Sequence, residues 1–103
     1  MERFELDIDL NVDNVYGLPT NRAKRTIIEM LERCFGDIEV EYFTHNETTN
    51  ITSVFFFFEA ENLYEAKLSL LEFYIGEDAF DNIKDSEEAF ETYGVNDAFE
   101  DYE

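Results

Sequence analysis

The residues 51–59, ITSVFFFFE, decide the fold. They are rich in β-branched and aromatic side chains, and Val54, Phe55, Phe56, Phe57 and Phe58 are apolar at consecutive positions. A strand wetted on one side alternates apolar with polar residues. A strand apolar on both sides belongs in the middle of a sheet, with helices over one face and a further layer over the other.

Working outward, the polar segment HNETTN at 45–50 reads as a turn, which makes residues 38–44 the preceding arm of a hairpin. In that arm Ile38, Val40 and Tyr42 alternate with Glu39, Glu41 and Phe43. Further upstream, residues 3–13 place Phe4, Leu6, Ile8, Leu10 and Val12 on one face of a strand, with Glu5, Asp7, Asp9, Asn11 and Asp13 on the other. Gly17-Leu18-Pro19 breaks that pattern. Thr20 or Asn21 then caps a helix whose apolar stripe is Ala23, Ile27, Met30, Leu31 and Cys34, with a stop at Gly36. Downstream, Asn62 caps a second helix over 63–75, with Leu63, Ala66, Leu70, Leu71 and Tyr74 as its buried candidates and Gly76 at its end.

The element order is β-α-β-β-α, an α+β class. A right-handed crossover from the first strand to the second leaves room for the third between them, so the expected sheet order is 1-3-2 with helices on one face, antiparallel or mixed. By element order alone, residues 3–75 resemble the first five elements of a ferredoxin-like fold, truncated before its fourth strand. The expected organisation is a core domain over 1–76 and an acidic segment over 77–103, docked on that domain or extending it. The segment holds eleven acids and one base, Lys84, yet Phe80, Ile83, Phe90, Tyr93, Phe99 and Tyr102 run through it. A plain solvating tail does not carry such residues. One or two short helices are expected at 78–93, the second starting at Ser86-Glu87-Glu88, and the last several residues are expected to be poorly tied down.

Charge is the chain's most unusual property. Against 26 acids stand 7 bases, a formal net of −19, while 45% of the 103 residues are hydrophobic. That apolar content excludes a disordered chain, and the charge disfavours direct contact with DNA, RNA or an anionic membrane. A basic partner is the natural counterpart. No run of apolar residues is long enough for a membrane span, no apolar leader follows Met1, and a single cysteine fits a reducing compartment, so a cytoplasmic location is expected.

No catalytic signature emerges. Asp7, Asp9, Asn11 and Asp13 have the spacing of calcium-loop ligands, but the position that needs glycine is Val12 and the one that needs a bidentate glutamate is Leu18. One histidine, His45, and one cysteine, Cys34, are too few for a zinc site, and Cys34 falls on an apolar helical stripe. No nucleophile, base and orienting group can be assembled, so a non-enzymatic protein without cofactor or metal is expected. Four of the seven bases, Arg22, Lys24, Arg25 and Arg33, lie in the first helix. They read as a solvated face, with docking of the acidic C-terminal segment as the alternative.

On a strand, same-face carboxylates recur every ~6.6 Å, twice the rise per residue. Duplex DNA presents a phosphate every ~3.4 Å of axis per strand, and winding separates neighbours by roughly twice that. Glu5, Asp7, Asp9 and Asp13, joined by Glu39 and Glu41 from the hairpin and by Asp85, Glu87, Glu88 and Glu91 from the C-terminal segment, are therefore the candidate partner-binding acids. Phe43, Phe55 and Phe57 are the candidate aromatic anchors. In size, acidity and abundance of Phe and Tyr, the chain resembles the phage-encoded nucleic-acid mimics, which include anti-restriction proteins, anti-CRISPR inhibitors and inhibitors of DNA-repair glycosylases. That resemblance implies an inhibitor acting in the host cytoplasm on a basic nucleic-acid-binding protein or ribonucleoprotein complex. An immunity protein or antitoxin against a basic nuclease, and a scaffold or homodimer formed through Phe55 and Phe57, are the alternatives.

Overall fold

The computed structural model describes residues 1–11, 20–46, 48–49 and 51–102. Along these the chain forms β1 (Glu2–Asn11), α1 (Thr20–Phe35), β2 (Ile38–Asn46), β3 (Ile51–Ala60) and α2 (Leu63–Ile75). Four short pieces follow: α3 (Glu77–Asp81), α4 (Ser86–Thr92), α5 (Val95–Ala98) and a final 3-10 turn over Glu100–Tyr102. Val12, Asp13 and the Gly17-Leu18-Pro19 break lie outside the described residues, as do the side chains of Thr20, Asn21 and Ala23.

The phenylalanine run is the middle strand, in a sheet ordered β1-β3-β2. Both neighbours pair with it antiparallel, so the sheet is wholly antiparallel rather than mixed. Register follows the hydrophobic pattern: Phe4 lies opposite Phe58, Leu6 opposite Phe56 and Ile8 opposite Val54, and all six are buried. A slip of one residue would turn this whole set to solvent, and that fixes the pairing.

The helices cover this buried face. Ile27, Leu31 and Phe35 of α1 and Ala66, Leu70 and Leu71 of α2 join it in one core. The Phe35 ring stands edge-on to Phe56 at 5.1 Å and to Phe58 at 4.7 Å. Each fully buried phenylalanine of this kind contributes ~1.5–3 kcal/mol by leaving water. Two expected stripe residues face outward instead: Met30 and Tyr74 are each 43% exposed. Their places are taken by Phe35, beside the stop, and by the stem of Lys67, which is buried with its amine 5.9 Å from the Phe90 ring. A long cationic side chain can lend its methylenes to a core while its head stays polar, which a pattern of apolar letters misses.

Helix ends fall where local chemistry places them. The Asn62 side chain accepts the Glu65 N–H at 2.9 Å, capping α2. Gly36 and Gly76 adopt positive φ of 76° and 89° and donate back to Glu32 and Glu72 carbonyls, closing the last turns of α1 and α2.

The C-terminal segment is tied down as far as Tyr102, the last described residue, contrary to expectation. It packs mainly on α2, through Ala89, Phe90 and Val95, rather than on the basic residues of α1. Phe99 is fully buried against Phe4 and Phe58. The Tyr102 hydroxyl then accepts the Glu5 N–H at 2.9 Å, at the edge of β1 that faces away from β3. The segment thus closes over the place where a fourth strand would add to the sheet.

Candidate functional site

The face of the sheet away from the helices is open among the described residues, none of whose elements forms a further layer over it. Its composition follows from strand parity and register. Across the middle of the sheet, Glu5 on β1 and Glu39 on β2 flank Phe57; two residues along, Asp7 and Tyr42 flank Phe55; then Asp9 and Thr44 flank Ser53. An aromatic stripe therefore runs along β3 between two carboxylate-bearing edge strands. Phe55 and Phe57 are half-buried, while the flanking acids are exposed.

One feature of β2 alters the predicted face. The pairing shifts between Val40 and Tyr42, so that Glu41 is an extra residue opposite no partner. Beyond this bulge the alternation reverses. Tyr42 turns outward, 63% exposed and 6.0 Å from the Phe55 ring, while Phe43 turns inward opposite Val54 and packs on the core beneath Lys24. Phe43, expected on this face, therefore lies on its other side, and Tyr42 stands on the open face instead. The adjacent aromatics Tyr42-Phe43 are the available signal, because unbroken alternation from Val40 would bury the tyrosine with its hydroxyl and expose the wholly apolar phenylalanine.

Several contacts fix the face. The Phe55 and Phe57 rings meet edge to face at 5.4 Å and 88°. The Ser53 hydroxyl donates to Asp9 at 2.5 Å. Arg3 donates to Glu39 at 2.7 Å, and its guanidinium carbon lies 4.6 Å from the centre of the Phe57 ring. At that end Arg3, Asp37, Glu39, Phe57 and Glu59 line a shallow hollow. Arg3 and Glu39 side chains are 58% and 67% exposed, so the pair adds only ~0–1 kcal/mol to stability.

The predicted acids do not form one surface. Glu5, Asp7, Asp9, Glu39 and Glu41 share the open face or its bulged rim, and Asp13 lies outside the described residues. Asp85, Glu87, Glu88 and Glu91 belong to α4, which packs on α2 on the helical side of the sheet. Asp85 has a structural use there, accepting the Glu88 N–H as the helix cap at 3.2 Å.

Cys34 lies in a hollow with Met30, Arg33, Glu72, Phe73 and Glu77 between α1 and α2. Burial, and then the Glu72 charge, push its thiol up. A reactive thiolate needs the opposite environment. His45 shares a hydrogen bond between its Nδ1 and the Thr52 hydroxyl at 2.9 Å. Among the described residues no helix is long and apolar enough to cross a membrane. Comparison with family models, with curated proteins and with solved structures returned no match.

Proposed function

We propose that this chain is a small acidic inhibitor that binds a positively charged nucleic-acid-binding surface of a host protein or ribonucleoprotein complex, in the manner of anti-CRISPR or anti-restriction mimics. The observation that carries this reading is the open sheet face, on which carboxylates frame a half-buried aromatic stripe in a chain of net charge −19. Glu5, Asp7 and Asp9 recur along β1 every ~6.6 Å. Glu39 on β2 stands two strand spacings from Glu5, ~9.6 Å. These intervals fall within the range over which duplex DNA presents phosphates along a strand and across its ~6 Å and ~12 Å grooves.

Negative charge alone steers association and raises its rate, but gives little choice between basic partners. Tyr42, Phe55 and Phe57 supply what charge lacks, apolar area at the centre of a polar rim, which is where binding energy concentrates in protein interfaces. The same centre favours one dedicated partner and so keeps an immunity protein against a basic nuclease as the second reading.

The experiment is affinity capture from host lysate followed by competition with duplex DNA. A mimic loses its partner to DNA and to rising salt. An immunity protein holds one nuclease and resists DNA wherever it binds away from the substrate groove. Partners that are neutral or acidic, or binding indifferent to salt, would exclude both. Replacing Asp7, Asp9 and Glu39 by their amides keeps shape and removes three charges from the face; partner affinity is expected to fall at least tenfold. Glu87, Glu88 and Glu91 replaced likewise are expected to weaken it far less.

A further inference from the structure

The open face carries, within its own chain, an example of the group it is built to hold. Arg3 lays its guanidinium over Phe57 and forms an ion pair with Glu39, while Glu5 stands opposite Phe57 on the other side. Two residues along β3, Phe55 has a carboxylate in the matching place on β1, Asp7; on β2 Tyr42 stands opposite it, with Glu41 immediately before at the bulge. The cation–ring contacts among the described residues fall at Phe43, Phe57 and Phe90, and none at Phe55. The Phe55 ring is held between Phe57 at 5.4 Å and Tyr42 at 6.0 Å, so its orientation is set in advance.

We infer that Phe55, Asp7, Tyr42 and Glu41 form a subsite for an arginine side chain of the partner, with the Arg3–Phe57–Glu39 set as its occupied counterpart. This inference rests on the proposal that a basic protein docks on this face. The chemistry selects arginine over lysine. A guanidinium is planar and weakly hydrated, so it stacks on a ring while its edge forks toward a carboxylate; an ammonium is a strongly hydrated point charge. A second copy of this chain is the wrong occupant, because it brings a net charge of the same sign to a face already lined with Glu5, Asp7, Asp9 and Glu39.

The test compares oligo-arginine and oligo-lysine peptides of equal length, titrated against the full chain at one salt concentration. Long-range charge is the same for both, so the ratio of their affinities isolates the stacked, forked contact. The arginine peptide is expected to bind more tightly by roughly two- to fivefold for each arginine seated. Phe55→Ala and, with shape preserved, Asp7→Asn are each expected to move the ratio toward one. Arg3→Ala, which uncovers Phe57, is expected to raise arginine-peptide affinity more than lysine-peptide affinity. Amide shifts on binding are expected at Tyr42, Phe55 and Phe57. A ratio of one in the unmodified chain, a ratio untouched by both Phe55→Ala and Asp7→Asn, or shifts confined to α4 would overturn the inference. Arginine preference without DNA competition in the lysate experiment would remove the mimic and leave the subsite standing. DNA competition with no arginine preference would remove the subsite and leave mimicry by charge.

Discussion

Phe99 is enclosed by Phe4 at 6.2 Å and Phe58 at 6.5 Å with no surface left to solvent, although it sits among Asp97, Glu100 and Asp101. Truncating it leaves a hole between rings that cannot close, so Phe99→Ala is expected to cost ~3–5 kcal/mol, read as a lower urea midpoint. Tyr102→Phe is a finer probe of the same docking. It keeps the ring 5.2 Å from Phe4 and removes only the hydroxyl that accepts the Glu5 N–H. The expected loss is ~0.5–1.5 kcal/mol, with faster amide exchange at Glu5. Tyr93, 51% exposed, makes the control: Tyr93→Ala is expected to stay within ~0.5 kcal/mol of the parent. The contrast explains why the C-terminal residues misled. Phe90 and Tyr93 stand three residues apart, as do Phe99 and Tyr102, a helical spacing that docked and exposed rings share, so nothing in their spacing separates the ones that dock from the one that does not. What distinguishes Phe99 is its meeting with Phe4, some ninety-five positions earlier in the chain, a contact set by topology rather than by local pattern.

The order of elements, the central position of β3 and the caps at Asn62 and Gly76 were legible because each rests on local chemistry: a run apolar on both faces, a side chain that accepts an N–H, and a residue free to take positive φ. The face of β2 was not, because period two holds only while pairing stays regular. The bulge at Glu41 inserts one residue, and every side chain beyond it changes sides. This has a direct consequence for deletion. Without Glu41, Val40 still faces Phe56, Tyr42 still faces Phe55 and Phe43 still faces Val54, with the strand now regular. The deletion is therefore expected to leave a cooperatively folded protein with Tyr42 exposed and Phe43 inside, whereas inserting one residue between Tyr42 and Phe43 would send Phe43 to solvent and break the core. Tyrosine accessibility and amide exchange along β3 separate the two outcomes. Phe43→Ser should destabilise the fold, and Tyr42→Ser should spare the fold while weakening partner binding.

At the scale of the whole molecule, α1 carries four bases and two acids, a net of +2, so the other residues together carry −21, with the open face and the C-terminal helices among the acidic regions. Such a distribution opposes folding at neutral pH and gives a sign to the pH dependence. The carboxyl of Glu72 is held above its ordinary range, first by burial and then by the charges of Glu77 and Asp81. A carboxyl raised in the fold binds its proton more readily folded than unfolded. Between the unfolded value and the raised folded one, stability therefore increases as pH falls. The general self-repulsion acts in the same direction. The urea midpoint is expected to rise as pH is lowered from neutral into that window. Glu72→Gln is expected to raise the neutral-pH midpoint and flatten the rise. Salt should act in parallel, since the screening length shrinks from ~10 Å at 0.1 M to ~3 Å at 1 M and distant like charges then cease to repel. The two responses separate the local from the global cause. Salt at neutral pH relieves the spread-out repulsion in parent and variant alike, so both midpoints should climb together. The pH-dependent difference between them should persist, because burial, the larger cause at Glu72, is not screened. If salt alone erased that difference, the neighbouring charges rather than burial would be what raises Glu72.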